Sequence, residues 1–557
     1  MKIRVGILIL LFLGVTALSP KDFNDLSLDE KIGQVFCINV PVKSSPERLE
    51  RTLELIKKYH IGSIILNRHG SAERVITTVN TLTRQAPDLL VLFDAEWGLS
   101  MRLPNALRFP RNMTLGAIQD DHLIYELGKE IGLQLKRLGV DLNCAPVVDI
   151  NVNPANPVIN DRSFGENPAN VITKSCLFMQ GLQDAGIAAC SKHYSGHGDT
   201  ATDSHLGLPV IRHTLSRLQQ IELQPFQTQV DAGVVAIMTA HMSVPALTGE
   251  QQCPITFSPQ AVAHLRSQLG FQGLIVSDGL NMKALHKYFE NEGIKSEDGD
   301  IELKALQAGH DLLVMAQNVP AAITKIKQAL ANGSLSESEL DEHVMRVLKA
   351  KEQTGVFQRK PQSLDHLDDT LFSSHAQKLK RRLYASAITL ASDTRNLVPV
   401  AEKQPRVAYL QVGGPRESVF QQQLEERMPQ IESEYINAIP TGVDITEAGT
   451  FLENDDTIVV GIFEMNKFTG KDFGIAPDTR TFLDELKKKQ KKLVVALFGS
   501  PYSLKFFDDY DTVLVAYEDD PDAQIATADV ITGKQKAIGL LPVSASEKYK
   551  AMQAIRT

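Results

Sequence analysis

Residues 186–205 have the sequence Gly-Ile-Ala-Ala-Cys-Ser-Lys-His-Tyr-Ser-Gly-His-Gly-Asp-Thr-Ala-Thr-Asp-Ser-His. The first five residues are small and apolar, as in a strand that is buried on both faces. The remaining residues include three histidines, two aspartates and one lysine, which are poor core material because burying them unpaired is costly. The chain is therefore predicted to leave the core here and become a loop. In parallel α/β folds, that edge of the sheet is where catalytic residues collect.

Apolar strand-like runs alternate with amphipathic stretches over much of the chain, and residues 187–193 form the fifth of these runs. Eight apolar strands with helices between them predict a parallel (β/α)8 barrel, because parallel strands are covered on both faces. The other seven runs are 34–39, 62–66, 89–94, 142–149, 234–241, 274–278 and 311–315. The helical patterns include 46–60, 72–85, 122–138, 168–185, 216–232 and 259–269.

Polar residues close five successive runs of this predicted barrel. Because the carboxyl ends of all barrel strands open onto one mouth, we expect these side chains to lie near one another. The alternative is a set of unrelated solvated strand ends. The residues concerned are Asp94, Glu96, Pro146, Asp149, Lys192, His193, His241, Ser277 and Asp278.

The chain has 557 residues, which is enough for two or three domains. After the barrel, strand-like runs at 406–412, 457–463, 492–498 and 512–517 alternate with helical patterns and predict a smaller open α/β sheet. The predicted division is a barrel over 20–355, a linker with a packing helix over 356–395, and a C-terminal α/β domain over 396–557. We find no catalytic motif in the C-terminal unit.

Residues 1–19 are predicted to be a signal peptide. Lys2 and Arg4 precede an apolar run at 5–18, which ends in small residues before Ser19 and Pro20. This is the pattern of an export signal, and the run is short for a membrane span. We therefore expect a bacterial exported protein, periplasmic or secreted, with no stable membrane insertion after cleavage. An uncleaved anchor is the alternative.

The formal net charge is −9, and no basic cluster is large enough for a nucleic-acid groove, so no nucleic-acid partner is expected. The lysine-rich run at 487–492 is interpreted as a solvated helix end. The five cysteines show no CxxC and no regular spacing, so neither disulfides nor zinc are indicated. No metal or cofactor is expected, although a zinc hydrolase using His193, His197 and His205 is an alternative.

The pattern at 192–205, from Lys192 to His205, resembles the signature of glycoside hydrolase family 3 in its β-N-acetylhexosaminidase branch. Four further segments resemble that branch in the same order, and the resemblance covers about residues 23–351. They are Asp-Ala-Glu-Trp-Gly at 94–98 with Arg102 after it, Arg-Ser-Phe-Gly at 162–165, Met-Thr-Ala-His at 238–241, and Ser-Asp-Gly-Leu-Asn-Met at 277–282.

Asp278 follows an apolar strand, where a carboxylate can be held rigidly at the barrel mouth. Retaining glycoside hydrolysis needs such a carboxylate beneath the anomeric carbon to form a covalent glycosyl-enzyme intermediate. The resemblance implies that Asp278 is this nucleophile. The alternative is a helix N-cap at a strand-to-helix turn.

The second catalytic group is the proton donor for the leaving oxygen. In the family branch that this chain resembles, the donor is a histidine oriented by an aspartate two residues earlier, which here are His205 and Asp203. Imidazole titrates near neutrality, so it can donate and then accept a proton. Asp203 would fix the tautomer of His205 and stabilise its charged form. A solvated loop histidine is the alternative.

The resemblance also implies a pocket for the non-reducing sugar. A carboxylate that accepts from hydroxyl groups, with cations that donate to others, suits a polyhydroxylated ring. Each of these side chains, taken alone, could equally form a structural ion pair. The five residues are Asp94, Arg102, Arg162, Lys192 and His193.

Two positions depart from the family pattern. Ser195 stands where the family often has proline, and Trp97, the only tryptophan, replaces a second glycine after Glu96. The changes bear on rate and substrate range more than on reaction type.

The resemblance therefore implies an exported, retaining, exo-acting β-N-acetylglucosaminidase. Its expected substrates are peptidoglycan fragments or chitin-like oligosaccharides with terminal N-acetylglucosamine. The alternatives are a family 3 enzyme of β-glucosidase type, a phosphorolytic enzyme, and an inactive glycan-binding protein.

Overall fold

The protein is described by a computed structural model over residues 23–202, 207–400 and 406–555, which form a barrel and a smaller α/β domain. The predicted signal peptide, Asp203 and His205 lie outside the described residues. The barrel strands are β1 (Phe36–Pro41), β2 (Ser63–Asn67), β3 (Leu90–Phe93), β4 (Leu142–Asn143), β5 (Ala188–Tyr194), β6 (Ala236–Thr239), β7 (Leu274–Ser277) and β8 (Leu313–Val314).

The eight strands are all parallel and lie in the order β7-β6-β5-β4-β3-β2-β1-β8. A parallel bridge between Val276 and Leu312, together with a hydrogen bond of 3.0 Å from Ser277 N to Leu312 O, brings β7 beside β8. The predicted (β/α)8 barrel is therefore confirmed. Inside the barrel, apolar side chains such as Leu92 and Val276 pack with the buried thiols of Cys37, Cys144 and Cys190.

Helices cover the outside of the barrel, and several begin with a side-chain cap. Ser27 and Glu30 form a capping box at the start of α1 (Leu28–Gln34), and Ser45 caps α2 (Pro46–Tyr59) in front of a proline. Among the described residues, no helix has the length and apolarity needed to cross a membrane. The helices are α1 (Leu28–Gln34), α2 (Pro46–Tyr59), α3 (Ala72–Thr83), α4 (Asn112–Gly116), α5 (His122–Arg137), α6 (Pro168–Asp184), α7 (Leu215–Gln220), α8 (Gln224–Asp231), α9 (Pro245–Thr248), α10 (Pro259–Ser267), α11 (Lys283–Asn291), α12 (Asp300–Gln307), α13 (Val319–Asn332) and α14 (Glu337–Gln353).

The second domain is a six-stranded sheet with the order β11-β10-β12-β13-β14-β9, in which only β9, at one edge, is antiparallel. The predicted open α/β sheet is therefore confirmed, and its parallel part has the strand order of a doubly wound fold. The strands are β9 (Thr389–Asp393), β10 (Val407–Val412), β11 (Glu432–Ile436), β12 (Thr457–Ile462), β13 (Lys492–Leu497) and β14 (Thr512–Val515). The helices are α17 (Val419–Arg427), α18 (Gly442–Phe451), α19 (Pro477–Lys488) and α20 (Pro521–Ile531).

Two helices, α15 (Leu367–Leu371) and α16 (Ser374–Ala387), connect the domains, and α16 contacts both α5 and α20. Glu518, which follows β14, is buried against the barrel. Its carboxylate accepts hydrogen bonds from Arg108 Nη2 at 2.8 Å, Arg111 N at 2.7 Å and Thr114 Oγ1 at 2.7 Å. The interface therefore joins the loop after β3 to the carboxyl end of the second sheet.

The structure differs from the sequence prediction in two places. The single helix predicted over 216–232 is two helices, α7 and α8, because the chain turns before Pro225 at the start of α8. Two strands of the second sheet were not predicted: β9, within the stretch expected to be a linker, and β11, which is partly exposed. Both are edge strands, whose hydrophobic pattern is weaker than that of central strands.

His310, just before β8, is fully buried and makes two hydrogen bonds. Its Nδ1 donates to Ala305 O at 2.9 Å, and its Nε2 accepts from the hydroxyl of Thr239 at 2.8 Å. Burial is the main cause that lowers the pKa of His310 from 6.5 to about 4, although Ala305 O opposes it. The histidine is therefore neutral in the folded protein near neutral pH.

We expect the protein to lose stability as the pH falls from about 6.5 towards about 4. In this window the unfolded chain takes up a proton at His310 that the folded chain does not, so the unfolding free energy falls with pH. The expected loss from this residue is about 2 kcal/mol at about pH 5. Urea unfolding at several pH values measures it. His310→Gln should make the dependence shallower, whereas His375→Gln, at an exposed position, should leave it unchanged.

Candidate active site

The polar residues that end the barrel strands meet at one mouth. Asp94 and Glu96 follow β3, Asp149 lies beyond β4, and Lys192 and His193 lie within β5. Asp278 follows β7, and Arg162 ends a short 3-10 turn, Asn160–Arg162, in the loop after β4. The structure therefore brings together every sequence-predicted site residue that it describes.

Asp94 lies between two cations. Its Oδ2 accepts from Arg102 Nη2 at 2.7 Å, and its Oδ1 accepts from Lys192 Nζ at 3.0 Å. Burial works against ionisation of Asp94, but the charges of Lys192 and Arg102 outweigh it and lower the pKa of the carboxyl. The side chain stays 16% exposed, so an ionised carboxylate lines the pocket.

Glu96 is the central anion of the site, and it is fully buried. Its carboxylate accepts a bidentate pair from Arg162 at 3.0 and 2.7 Å, and Lys192 Nζ lies 2.9 Å from Oε1. Although burial opposes ionisation, these two cations hold the pKa of Glu96 well below its usual range. Glu96 was predicted to end a strand but not to belong to the site. The sequence feature that could have indicated its role is its position two residues after Asp94.

His193 is fixed by Asp149, another residue that the sequence analysis did not assign. The His193 Nδ1 lies 2.8 Å from Asp149 Oδ2, and Nε2 lies 3.3 Å from Arg162 Nη2. Since Arg162 can only donate, Nε2 accepts and Nδ1 donates to the carboxylate. Asp149 also accepts from the backbone N of His193 and, at 2.6 Å, from that of His197. It therefore orients both the imidazole and the start of the following loop.

Asp278 is half-buried at the carboxyl end of β7. Its Oδ1 accepts from Gly279 N at 2.7 Å, and the next helix, α11, begins only after Met282. The alternative of a helix N-cap is therefore wrong. Burial raises the cost of ionising Asp278, but His241 and His193, then Gly279 N and Lys192, lower its pKa overall. Asp278 is ionised at neutral pH, and it follows β7 at the barrel mouth to which Lys192 and His193 of β5 also belong.

His241 supports the segment next to Asp278. Its Nε2 donates to Gly279 O at 3.0 Å, and its Nδ1 accepts from the hydroxyl of Thr256 at 2.6 Å. His241 is buried beside the backbone that carries Asp278. This is the position at the barrel mouth that its sequence motif suggested.

The loop after β5 is held on both sides of the segment that contains Asp203 and His205. His197 is buried and bonded to Thr200 at 2.7 Å, and burial lowers its pKa to about 4. Asp199 Oδ2 lies 2.7 Å from His213 Nε2. These contacts fix the described parts of the loop close to the mouth.

Trp97 lies beside the site and contacts Arg111, whose guanidinium is 4.1 Å from the centre of the indole ring. Arg111 in turn pairs with Asp161, the neighbour of Arg162, at 3.1 Å. Among residues 23–202, 207–400 and 406–555, no group of three or more His, Cys, Asp or Glu side chains is arranged to hold a metal ion.

The chain is similar in sequence to a known protein family and to several of its members. Residues 27–350 match the model of the glycosyl hydrolase family 3 N-terminal domain. The chain is 33% identical over 370 residues to β-hexosaminidase A of Pseudoalteromonas piscicida, a match that spans 60% of each protein. It is 32% identical over 349 residues to β-hexosaminidase LpqI of Mycobacterium tuberculosis, covering 58% of this chain and 83% of that one.

Among solved structures, the chain resembles a family 3 β-N-acetylglucosaminidase from Paenibacillus sp. str. FPU-7. The TM-score is 0.77 at 30% identity, over 94% of this chain and 99% of that chain. The β-glucoside phosphorylase BglX has the same fold, with a TM-score of 0.78 at 20% identity. The similarity to the Paenibacillus structure extends over both domains, whereas the match to the family model covers the barrel.

Proposed function

The chain belongs to glycoside hydrolase family 3, and we propose that it is a retaining, exo-acting β-N-acetylglucosaminidase. Its substrates are glycans with a terminal N-acetylglucosamine, such as peptidoglycan fragments or chitin-like oligosaccharides. The observation that carries the proposal is the ion-pair network at the barrel mouth, with the ionised Asp278 facing it. The names of the hexosaminidase relatives support this choice of sugar.

The pocket binds the non-reducing sugar through its fixed charges. Asp94 accepts hydrogen bonds from ring hydroxyls, while Arg102, Arg162 and Lys192 donate to others, and these three cations already pair with Asp94 or Glu96. The imidazole of His193 is held in one orientation by Asp149, whose Oδ2 lies 2.8 Å from Nδ1. Because these side chains are ordered before the substrate arrives, little entropy is lost when it binds.

The reaction takes place in two displacements. Asp278 attacks the anomeric carbon and forms a covalent glycosyl ester while His205 protonates the departing oxygen. His205 then removes a proton from water, which attacks the same carbon and releases Asp278. Asp203 keeps His205 in the required tautomer and stabilises its charged form. Each displacement inverts the anomeric carbon, so the two in succession retain its configuration.

The direct test is product analysis with a chromogenic β-N-acetylglucosaminide, chitooligosaccharides and muropeptides. We expect N-acetylglucosamine of retained configuration, observed by NMR within the first turnovers. Release of sugar 1-phosphate in phosphate buffer would instead indicate phosphorolysis, and faster turnover of β-glucosides would contradict the sugar specificity. We further propose that the protein acts outside the cytoplasm, which an N-terminal sequence of the mature protein would test.

Glu96→Gln is expected to lower kcat/KM by about 100-fold, mostly through a higher KM. The amide keeps the shape of Glu96 but leaves the buried Lys192 and Arg162 without one negative charge, which costs about 3 kcal/mol. Steady-state kinetics with the chromogenic substrate measures this. Glu54→Gln, at an exposed position on α2, is the matched control. An unchanged KM in Glu96→Gln would show that Glu96 does not order the pocket.

A further inference from the structure

A cavity of about 390 Å³ lies between the barrel and the second domain. On one side its wall consists of residues that follow β12, β13 and β14, among them Glu464, Ser500 and Asp519. On the other side lie the barrel loops after β3 and β4, with Arg111 and Asp161. In open α/β sheets, ligands bind outside the carboxyl ends of the strands, and this volume suits a small molecule.

Two of the four carboxylates in this wall are already paired with cations. Glu518 accepts from Arg108 and from two further donors of the barrel. Asp161 lies 3.1 Å from Arg111 Nη1 and 2.8 Å from Lys467 Nζ. All three cations of the wall therefore have a carboxylate partner, and none is left to recruit an anionic ligand.

The other two carboxylates, Glu464 and Asp519, lack such a partner. Within the described part of the chain, Glu464 forms no ion pair, and Asp519 accepts only from the uncharged amide of Gln524 at 2.6 Å. Partial burial is the main cause that raises the pKa of Asp519, to which Asp520 and then Glu464 add, although Gln524 and Arg108 oppose it. Both carboxylates are exposed and line the same cavity, so this part of the wall carries two negative charges that no paired cation balances.

The surfaces between these charges are apolar. Met465, Phe468, Phe498 and Tyr517 line the same cavity. Ser500 also lines it, and its Oγ is buried without a hydrogen-bond partner among the described residues. A buried polar atom without a hydrogen-bond partner destabilises the folded protein unless a ligand or water supplies that partner. The lining therefore combines a carboxylate pair, an unsatisfied hydroxyl and aromatic walls.

We propose that this cavity binds a small molecule that carries a primary ammonium group on a short apolar chain, as in lysine or a related diamino acid. The ammonium would lie between Glu464 and Asp519, where it neutralises the carboxylate pair. Its alkyl chain would pack on the aromatic wall, which adds a favourable contact between a cation and an aromatic face. The site is separate from the sugar pocket, and the proposal does not depend on the activity proposed above.

The test is a binding measurement on the full chain with two matched probes, Nα-acetyl-lysine amide and Nα-acetyl-norleucine amide. They differ only in the side-chain ammonium. Isothermal titration calorimetry should show at least about tenfold tighter binding of the lysine derivative. Trp97, the single tryptophan, contacts Arg111 of the cavity wall, so its fluorescence should change over the same concentrations. Equal binding of the two probes, or none below about 10 mM, overturns the proposal.

A double variant locates the binding within the molecule. Glu464→Gln with Asp519→Asn should weaken the lysine derivative at least about tenfold, because it removes both carboxylates and keeps their shape. Glu447→Gln with Asp509→Asn, both exposed positions in the same domain, is the matched control and should bind as the original protein does. Unchanged binding in the first variant would place the ligand elsewhere and overturn the proposal. Binding is measured without turnover, so an inactive enzyme would not affect the result.

Discussion

Replacing Asp278 by asparagine is expected to lower kcat/KM at least about 1,000-fold, which corresponds to more than about 4 kcal/mol of transition-state stabilisation. The amide has nearly the size of the carboxylate and can keep a hydrogen bond with Gly279 N, so the fold should persist. It cannot, however, attack the anomeric carbon or stabilise the positive charge that develops there.

Two measurements separate this effect from a structural one. Acid-quenched wild-type protein should contain a population heavier by one N-acetylhexosaminyl group, and Asp278→Asn should lack it. Asp231→Asn, at an exposed position where α8 ends, is the matched control, since helices of this fold end at the face opposite the mouth. Turnover by Asp278→Asn close to that of the control would remove Asp278 from the mechanism.

The pKa of Asp278 also sets the expected pH dependence. The carboxyl pKa is lowered, so the nucleophile stays ionised from neutral pH down to values below the usual aspartate range. The acid side of the rate profile should therefore not be governed by Asp278 in mildly acidic solution. A loss of kcat/KM there would instead report protonation of another group.

Replacing His205 by asparagine is expected to lower kcat/KM about 100- to 1,000-fold for substrates with a poor leaving group, such as chitobiose. The loss should be much smaller for a 2,4-dinitrophenyl glycoside, because that group departs without a proton. Asp203→Asn should show the same dependence on the leaving group with a smaller loss, since the imidazole is retained but its tautomer is no longer fixed.

Steady-state kinetics over a series of aryl N-acetylglucosaminides would measure this dependence. His375→Gln, on the exposed side of α16, controls for the loss of a histidine in general. If His205→Asn lost the same factor on every aryl substrate, the histidine would not protonate the leaving group. The proton would then have to come from elsewhere in the pocket.

The barrel could be predicted from the sequence because each of its strands is apolar enough to stand out from the helices around it. All eight predicted runs contain an observed strand or overlap it. The single helix predicted over 216–232 was wrong because periodicity does not show that the chain turns before Pro225. The edge strands β9 and β11 were missed because edge strands carry less of the hydrophobic pattern.

The site was predictable to the extent that its residues end strands. Asp94, Lys192, His193 and Asp278 meet at one mouth for that reason. Glu96 and Asp149 were noted as strand ends, but their roles depend on which cation or imidazole each one contacts. Such contacts arise between loops far apart in sequence, and no spacing rule reveals them.

The hydrogen bonds that Glu518 accepts across the domain interface tie the stability of the barrel to the second domain. The buried carboxylate of Glu518 accepts hydrogen bonds from three donors of the barrel. Deleting the second domain would leave Arg108, the backbone N of Arg111 and Thr114 without this acceptor. Each orphaned donor that stays buried costs about 1–3 kcal/mol, a large share of the stability of an ordinary domain. The barrel without the second domain is therefore expected to be less stable than the full chain unless water or substitutions in the loop after β3 satisfy these donors.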